Sequence, residues 1–258
     1  MNRIVDVSEH NRNIDWAKVK ASGIVGAIIR CGYGQDQAGQ DDKKWLRNVS
    51  ECERLGIPYG VYLYSYAKTT GAVQGEINHA LRLLKGHSPA WPVYFDSEQR
   101  GTQGVAKANA KAFCDAMVAH GYKGGIYAST SWYKNYIGQT WGYSLWIASY
   151  GSKSAGVNGI DMWQYTSRGS IPGIPGNVDV NYVYKDLGGT VTPVQKPTVA
   201  PTPKPVDESW KGDKRYYLNN SRVGAWQKAM NIGFDTNALA VDNKFGVDHG
   251  RNTTEQFN

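Results

Sequence analysis

Four acidic residues stand where a strand could present them to a pocket: Asp6 in IVDVS, Asp96 and Glu98 in VYFDSE, and Asp179 in NVDVN. Each interrupts a run of β-branched, apolar or aromatic residues, the composition of a strand. Side chains at i and i+2 of a strand share one face, about 6.6 Å apart along the chain. Asp96 and Glu98 are therefore expected to point into the same space. Two carboxyls so placed can cleave a glycosidic bond. One keeps its proton near neutral pH and donates it to the leaving oxygen, while the other is ionised and stabilises or traps the oxocarbenium ion. Crowding assists this division, because neighbouring negative charges oppose a further ionisation. Glu98 has the longer reach and is the expected acid. A lone D-x-E is ordinarily a solvated strand end; Asp6 and Asp179 at matching strand positions argue for a site.

The surrounding residues suit a sugar. Tyr62, Tyr64 and Tyr66 alternate along one apolar run, Tyr127 ends another, Trp146 lies in a third, and Gln164 is flanked by Trp163 and Tyr165. Aromatic rings offer apolar faces to sugar C–H groups, and amides such as Gln164 and Asn181 can read hydroxyl and acetamido groups. Strands also favour Tyr and Trp for packing alone, so each aromatic carries that plainer alternative.

Other chemistries lack their residues. No G-x-S-x-G elbow, phosphate loop or H-E-x-x-H occurs, and His10, His79, His87, His120 and His249 show no ligand spacing. Cys114 and His120 lie six residues apart on one helical segment, which argues against a nucleophile–base pair. The run from Asn177 to Asn181 alternates oxygen ligands but lacks the Gly and distal Glu of a calcium loop. No metal and no cofactor are expected. Cys31, Cys52 and Cys114 have no framework spacing and read as buried, reduced thiols.

The formal charge of +7 is spread through the chain. It gives a general attraction to polyanions, but the longest basic runs are pairs, without the stripe that nucleic acid requires. Anionic wall polymers fit as well, and no nucleic acid partner is expected. No apolar run approaches the roughly 18 residues of a membrane span, and residues 1–7 do not have the form of a secretory signal.

Elements that could position these residues are legible. Strands are expected over 4–7, 26–31, 60–66, 92–96, 124–127, 144–148, 160–165 and 177–180. Helices are expected over 15–22, 43–55, 72–85 and 105–120, each stopped by a glycine, with a short one over 132–136. Parallel strands alternating with helices define an α/β fold, and the last three strands follow too closely for crossover helices. Eight strands and five helices indicate an irregular TIM-like barrel. Residues 189–206 read as a Pro/Thr-rich linker, which separates a barrel over 1–188 from a tail over 207–258.

Taken in order, IVDVSEHN, IDWAKVKASGI, GAIIRCGYG, GVYLYSYA, PVYFDSE, GGIYAS, LWIASY, MWQYTS and NVDVNYV resemble the glycoside hydrolase family 25 lysozymes of phage endolysins and bacterial autolysins. The likeness covers roughly residues 2–187. It implies a (β/α)5β3 barrel that cleaves the β-1,4 bond between N-acetylmuramic acid and N-acetylglucosamine in peptidoglycan. Glu98 would be the general acid/base and Asp96 its partner, with Asp6 and Asp179 completing an acidic floor; either Asp96 or the substrate acetamide would be the nucleophile. Arg12 departs from the glycine common in such openings. Val223, Trp226, Gln227, Asp242 and Phe245 are similar to a small helical peptidoglycan-binding domain, either shortened or divergent at its end. A monomer made in the host cytoplasm and released to the wall through a holin lesion, without membrane insertion, completes this expectation. A chitinase-type or glucosaminidase-type hydrolase and a non-catalytic wall binder are the rivals.

Overall fold

The computed structural model describes residues 2–151 and 156–188, together with the backbone of two short strands, Leu218–Asn219 and Lys244–Phe245. The chain divides into two compact units, Met1–Thr198 and Val199–Asn258. The expected linker and the helical reading of the tail lie outside the described residues. Within the second unit, Leu218–Asn219 and Lys244–Phe245 pair antiparallel.

In the first unit, eight strands close a barrel in sequence order: β1 (Asn2–Val7), β2 (Ala27–Tyr33), β3 (Tyr59–Tyr64), β4 (Val93–Asp96), β5 (Gly124–Ser129), β6 (Ser144–Ala148), β7 (Met162–Gly169) and β8 (Val178–Val183). Neighbours from β1 to β7 are parallel, whereas β8 runs antiparallel to both β7 and β1. Helices α1 (Trp16–Ala21), α2 (Trp45–Leu55), α3 (Val73–Leu84) and α4 (Ala106–Ala119) fill the first four crossovers. The fifth is a single turn, α5 (Thr130–Trp132), continuing as a π turn over Tyr133–Ile137. Among the described residues no helix separates β6, β7 and β8.

Local chemistry sets these ends. The Asp15 side chain accepts from the Lys18 N–H at the start of α1, the bond an N-cap supplies to an orphan donor. Gly56 closes α2 at φ +64, a conformation that costs other residues a Cβ clash. The inward face of α2 buries Trp45, Val49 and Cys52. It also includes Asn48, which accepts the Trp16 indole N–H at 3.1 Å.

Strand alternation builds two cores. Val5, Ile29, Val61, Val93 and Phe95 face the helices; Ile4, Ile28, Tyr94, Trp146 and Met162 fill the barrel interior. Each such side chain fully buried contributes about 1.5–3 kcal/mol. The interior is crowded enough that a Cβ on Gly125 would strike the Tyr94 ring on the neighbouring strand. Of the boundaries that differ from expectation, two have a clear cause. β3 stops at Tyr64, since the Tyr66 N–H bonds to Glu76 of α3 at 2.7 Å rather than continuing the ladder. β7 runs on to Gly169 because its antiparallel pairing with β8 needs no crossover.

Candidate active site

Asp6, Asp96, Glu98, Asp179, Tyr62, Tyr64, Tyr127, Trp146, Gln164 and Arg30 line one hollow of about 130 Å³. Asp6, Asp96, Glu98 and Tyr127 sit toward the C-terminal ends of the parallel strands, where barrel enzymes collect groups from several strands, whereas Asp179 reaches the same mouth from the start of antiparallel β8. On β4, Val93 and Phe95 pack outward and Asp96 turns inward. The same alternation carries past the strand end to Glu98. Between them Ser97 is anchored: its N–H bonds to the Tyr127 carbonyl at 3.0 Å and its Oγ accepts the Trp132 indole N–H at 3.3 Å. Glu98 makes no side-chain hydrogen bond among the described residues, and one Asp96 carboxyl oxygen is buried without a partner. Both groups therefore have acceptor capacity for an incoming molecule.

Asp6 and Asp179 are direct partners across the β1–β8 ladder, so they share a face at the closest strand spacing. Asp6 Oδ2 accepts from Gln164 Nε2 at 3.0 Å and Asn181 Nδ2 at 2.8 Å. Gln164 in turn accepts from the hydroxyls of Tyr127 at 3.0 Å and Tyr150 at 2.9 Å. Its amide orientation is thus fixed by three groups, Asp6 on β1, Tyr127 on β5 and Tyr150 after β6.

Every one of the four carboxyls has its proton affinity raised. Burial does this first for Asp6, reinforced by the charge of Asp179, against the hydrogen bonds from Asn181 and Gln164. Asp96 is pushed well above the carboxylate range by burial and then by Glu98 and Asp6, with Arg30 opposing. Burial raises Glu98, and Asp179 adds to it. Asp179 is raised by burial and eased by its hydrogen bond with Asp6. Crowded carboxyls whose proton affinities are raised in this way are a marker of functional sites.

Two residues expected beside the sugar are elsewhere. Asn181 is fully buried, its amide engaged by Asp6 and by the Trp146 indole N–H at 2.7 Å; it orients those groups from below. Tyr66 lies past the end of β3 and lines an adjoining hollow of about 320 Å³ with Glu9, His10, Arg30, Tyr33 and Tyr64. Trp146, only 1 % exposed, forms the floor and packs against Tyr62, Tyr94 and Tyr127 at 6.0, 5.3 and 4.3 Å. Trp163 and Tyr165, odd-numbered neighbours of Gln164, pack with Tyr182 rather than lining the hollow.

Sequence reasoning does not single out Arg30 or Tyr150. Arg30 had a usable signal: a lone charge within the apolar run GAIIRC, two residues after the inward Ile28. Tyr150 lies after β6 and meets Gln164 only through the fold, so no local pattern marks it.

A closed α/β barrel with paired carboxyls at the strand ends is an arrangement suited to glycoside hydrolysis. The sequence profile of the glycosyl hydrolases family 25 matches residues 5–174, and the chain belongs to that family. It is 25 % identical over 193 residues to the autolytic lysozyme of Clostridium acetobutylicum, covering 72 % of this chain and 58 % of that one. It is similar to the CTP1L endolysin, with 28 % identity, a TM-score of 0.65 and coverage of 72 % and 68 %. It also resembles the autolysin LytC of Streptococcus pneumoniae, solved with a synthetic peptidoglycan ligand, at 30 % identity and TM-score 0.62, over 71 % of this chain and 46 % of that one. The match thus spans little more than half of the Clostridium lysozyme.

Proposed function

We propose that this chain is an endolysin-type muramidase. It hydrolyses the β-1,4 bond between N-acetylmuramic acid and N-acetylglucosamine in peptidoglycan, with Glu98 as the general acid. The observation that carries this reading is the convergence of four carboxyls of raised proton affinity, of which Glu98 makes no side-chain hydrogen bond among the described residues. Protonated Glu98 donates to the glycosidic oxygen as the bond from that oxygen to the anomeric carbon breaks. Ionised Asp96 stabilises the resulting cation, directly or by orienting the substrate acetamide. Water then adds at the anomeric carbon and returns its proton to Glu98. Asp6 and Asp179 share a proton and sustain the raised affinity of the set, while Tyr62, Tyr64 and Tyr127 offer ring faces and hydroxyls to the sugar.

The proposal extends to the rest of the chain. A (β/α)5β3 catalytic barrel over 1–188, a linker over 189–206 and a helical wall-binding module over 207–258 would act as one monomer, and tethering would raise the catalyst's local concentration at the wall. Synthesis in the host cytoplasm and release through a holin lesion belong to the same reading. Digestion of purified peptidoglycan by the wild type and Glu98→Gln, followed by borohydride reduction and mass spectrometry, tests it. Reduced muramic acid ends from the wild type, nearly lost in the variant, are expected. Reduced glucosamine ends would mean a glucosaminidase-type cut, and no new ends from either protein would leave a binding protein.

A further inference from the structure

Arg30 is the one cation among the residues lining the carboxyl hollow. It stands on β2 opposite Tyr62 of β3. Its Nε donates to Asp42 Oδ2 at 2.8 Å and its Nη2 to Glu9 Oε1 at 3.0 Å. Asp42, only 4 % exposed, also accepts the N–H groups of Glu9 and Lys44, each at 2.8 Å. The guanidinium is thus fixed from its outer side by the loops after β1 and β2, and Nη1 has no hydrogen-bond partner among the described residues. Immediately beyond Arg30 the β2–β3 register slips between Arg30 and Gly32. A bulge at this place re-aims side chains around it, and the Cys31 carbonyl it turns out accepts the Asp42 N–H at 2.8 Å.

We propose that Arg30 is a positioning residue for the reaction: clamped by Glu9 and Asp42, it is the counter-charge that keeps Asp96 the ionised member of the Asp96–Glu98 pair. The proposal rests on the muramidase reading only for the purpose of that ionisation. The groups facing Asp96 are Glu98 beyond its own strand, Asp6 on β1, Asp179 on β8, and the phenols Tyr62, Tyr64 and Tyr127. All of these are neutral or negative, so without Arg30 nothing lining the hollow favours the charged form of a buried carboxyl. Geometry selects Arg over Lys here, because a planar fork can hold two carboxylates on one side and leave an edge free on the other.

The test uses the full chain with Arg30→Gln, Arg30→Lys and Glu9→Gln. Two readings are taken in parallel: the pH profile of kcat/KM on peptidoglycan, and the ¹³C carboxyl titration of Asp96 by NMR. Loss of the charge in Arg30→Gln is expected to move the acidic limb and the Asp96 titration upward by about one pH unit. Glu9→Gln, which removes a negative partner and leaves the cation in place, is expected to move both downward by less. Arg30→Lys keeps the charge and is expected to stay near the wild type in pH, even where its kcat falls. Lowered rates with unmoved titrations in all three variants would reduce Arg30 to a loop clamp and overturn the proposal. Shifted Asp96 titrations in a protein that releases no muramic acid ends would uphold it while overturning the muramidase reading.

Discussion

Two clusters of carboxylates lie close together in this barrel and are treated in opposite ways. At the mouth, Asp6, Asp96, Glu98 and Asp179 face one another with a single guanidinium among them, and all four hold protons more tightly than usual. In the loop after β2, Asp36 and Asp41 meet Arg82 at 2.6 Å, and Asp41 also meets the buried His79 at 2.9 Å. The hydrogen bonds from Arg82 and His79 outweigh burial there and hold Asp41 below the usual range. Asp42, adjacent in sequence, is paired with Arg30. The same side chain serves as scaffold where cations dominate its surroundings, and holds its proton more tightly where burial and neighbouring carboxylates dominate. Function here comes from a local shortage of counter-charge, maintained by the folding free energy of the rest of the molecule.

This contrast can be broken most sharply at Glu98. Glu98→Gln preserves shape and removes the proton donor, so kcat on peptidoglycan is expected to fall by about 10²–10⁴-fold, with the thermal melt unchanged or slightly raised. A comparable loss caused by unfolding would show in circular dichroism and would count against Glu98 as the acid.

Next in size is the scaffold carboxylate. Asp42→Ala strands a buried guanidinium, leaving Arg30 with Glu9 alone, and is expected to cost about 3 kcal/mol in urea unfolding. Asp36→Ala, at an exposed pair, should cost less than about 1 kcal/mol. Equal losses from the two would show that the buried clamp has no special weight.

The pH dependence of Asp96→Asn sharpens the same comparison. Because folding raises the affinity of Asp96, the native state binds more protons than the unfolded chain between the ordinary carboxylate range and the raised folded value. The stability this group contributes is fully present in acid and is lost as pH rises through that window. Asparagine removes the penalty, so the variant's Tm should exceed the wild type's at pH 7, with the gap closing as pH falls. A gap that widened in acid would mean Asp96 is stabilised as a carboxylate, like Asp41.

The smallest expected effect is at Arg12, held at φ +60 and ψ −141 after the 3-10 turn Glu9–Asn11. That backbone region is essentially a glycine region. Arg12→Gly is expected to raise stability by about 1 kcal/mol despite the added freedom of the unfolded chain, measurable as a Tm increase of a few degrees. A decrease would show that the Arg12 side chain compensates its backbone.

Much of the architecture is legible without coordinates because its causes are local. Alternating apolar runs, glycine stops at Gly23, Gly56, Gly86 and Gly121, and the Asp15 cap place strands and helices within a few residues. The i, i+2 spacing puts Asp96 and Glu98 on one face. The buried, unpaired state of Cys31, Cys52 and Cys114 also follows from composition. The tyrosines are less legible, since Tyr66 and Tyr64 share a pattern but not a strand, the difference being made by Glu76 on a helix further along.

Sequence by itself therefore determined which residues could be strands, which carboxyls could act, and on which face each would stand. Tertiary structure alone decided that Asp6 lies opposite Asp179, that Gln164 and Asn181 hold Asp6 from two strands more than 150 positions away, and that Arg30 is the cation lining their hollow. The reason is physical. Strand propensity and side-chain parity depend on neighbours along the chain, whereas a carboxyl's proton affinity depends on burial and on charges a few ångströms away, which only ring closure brings together.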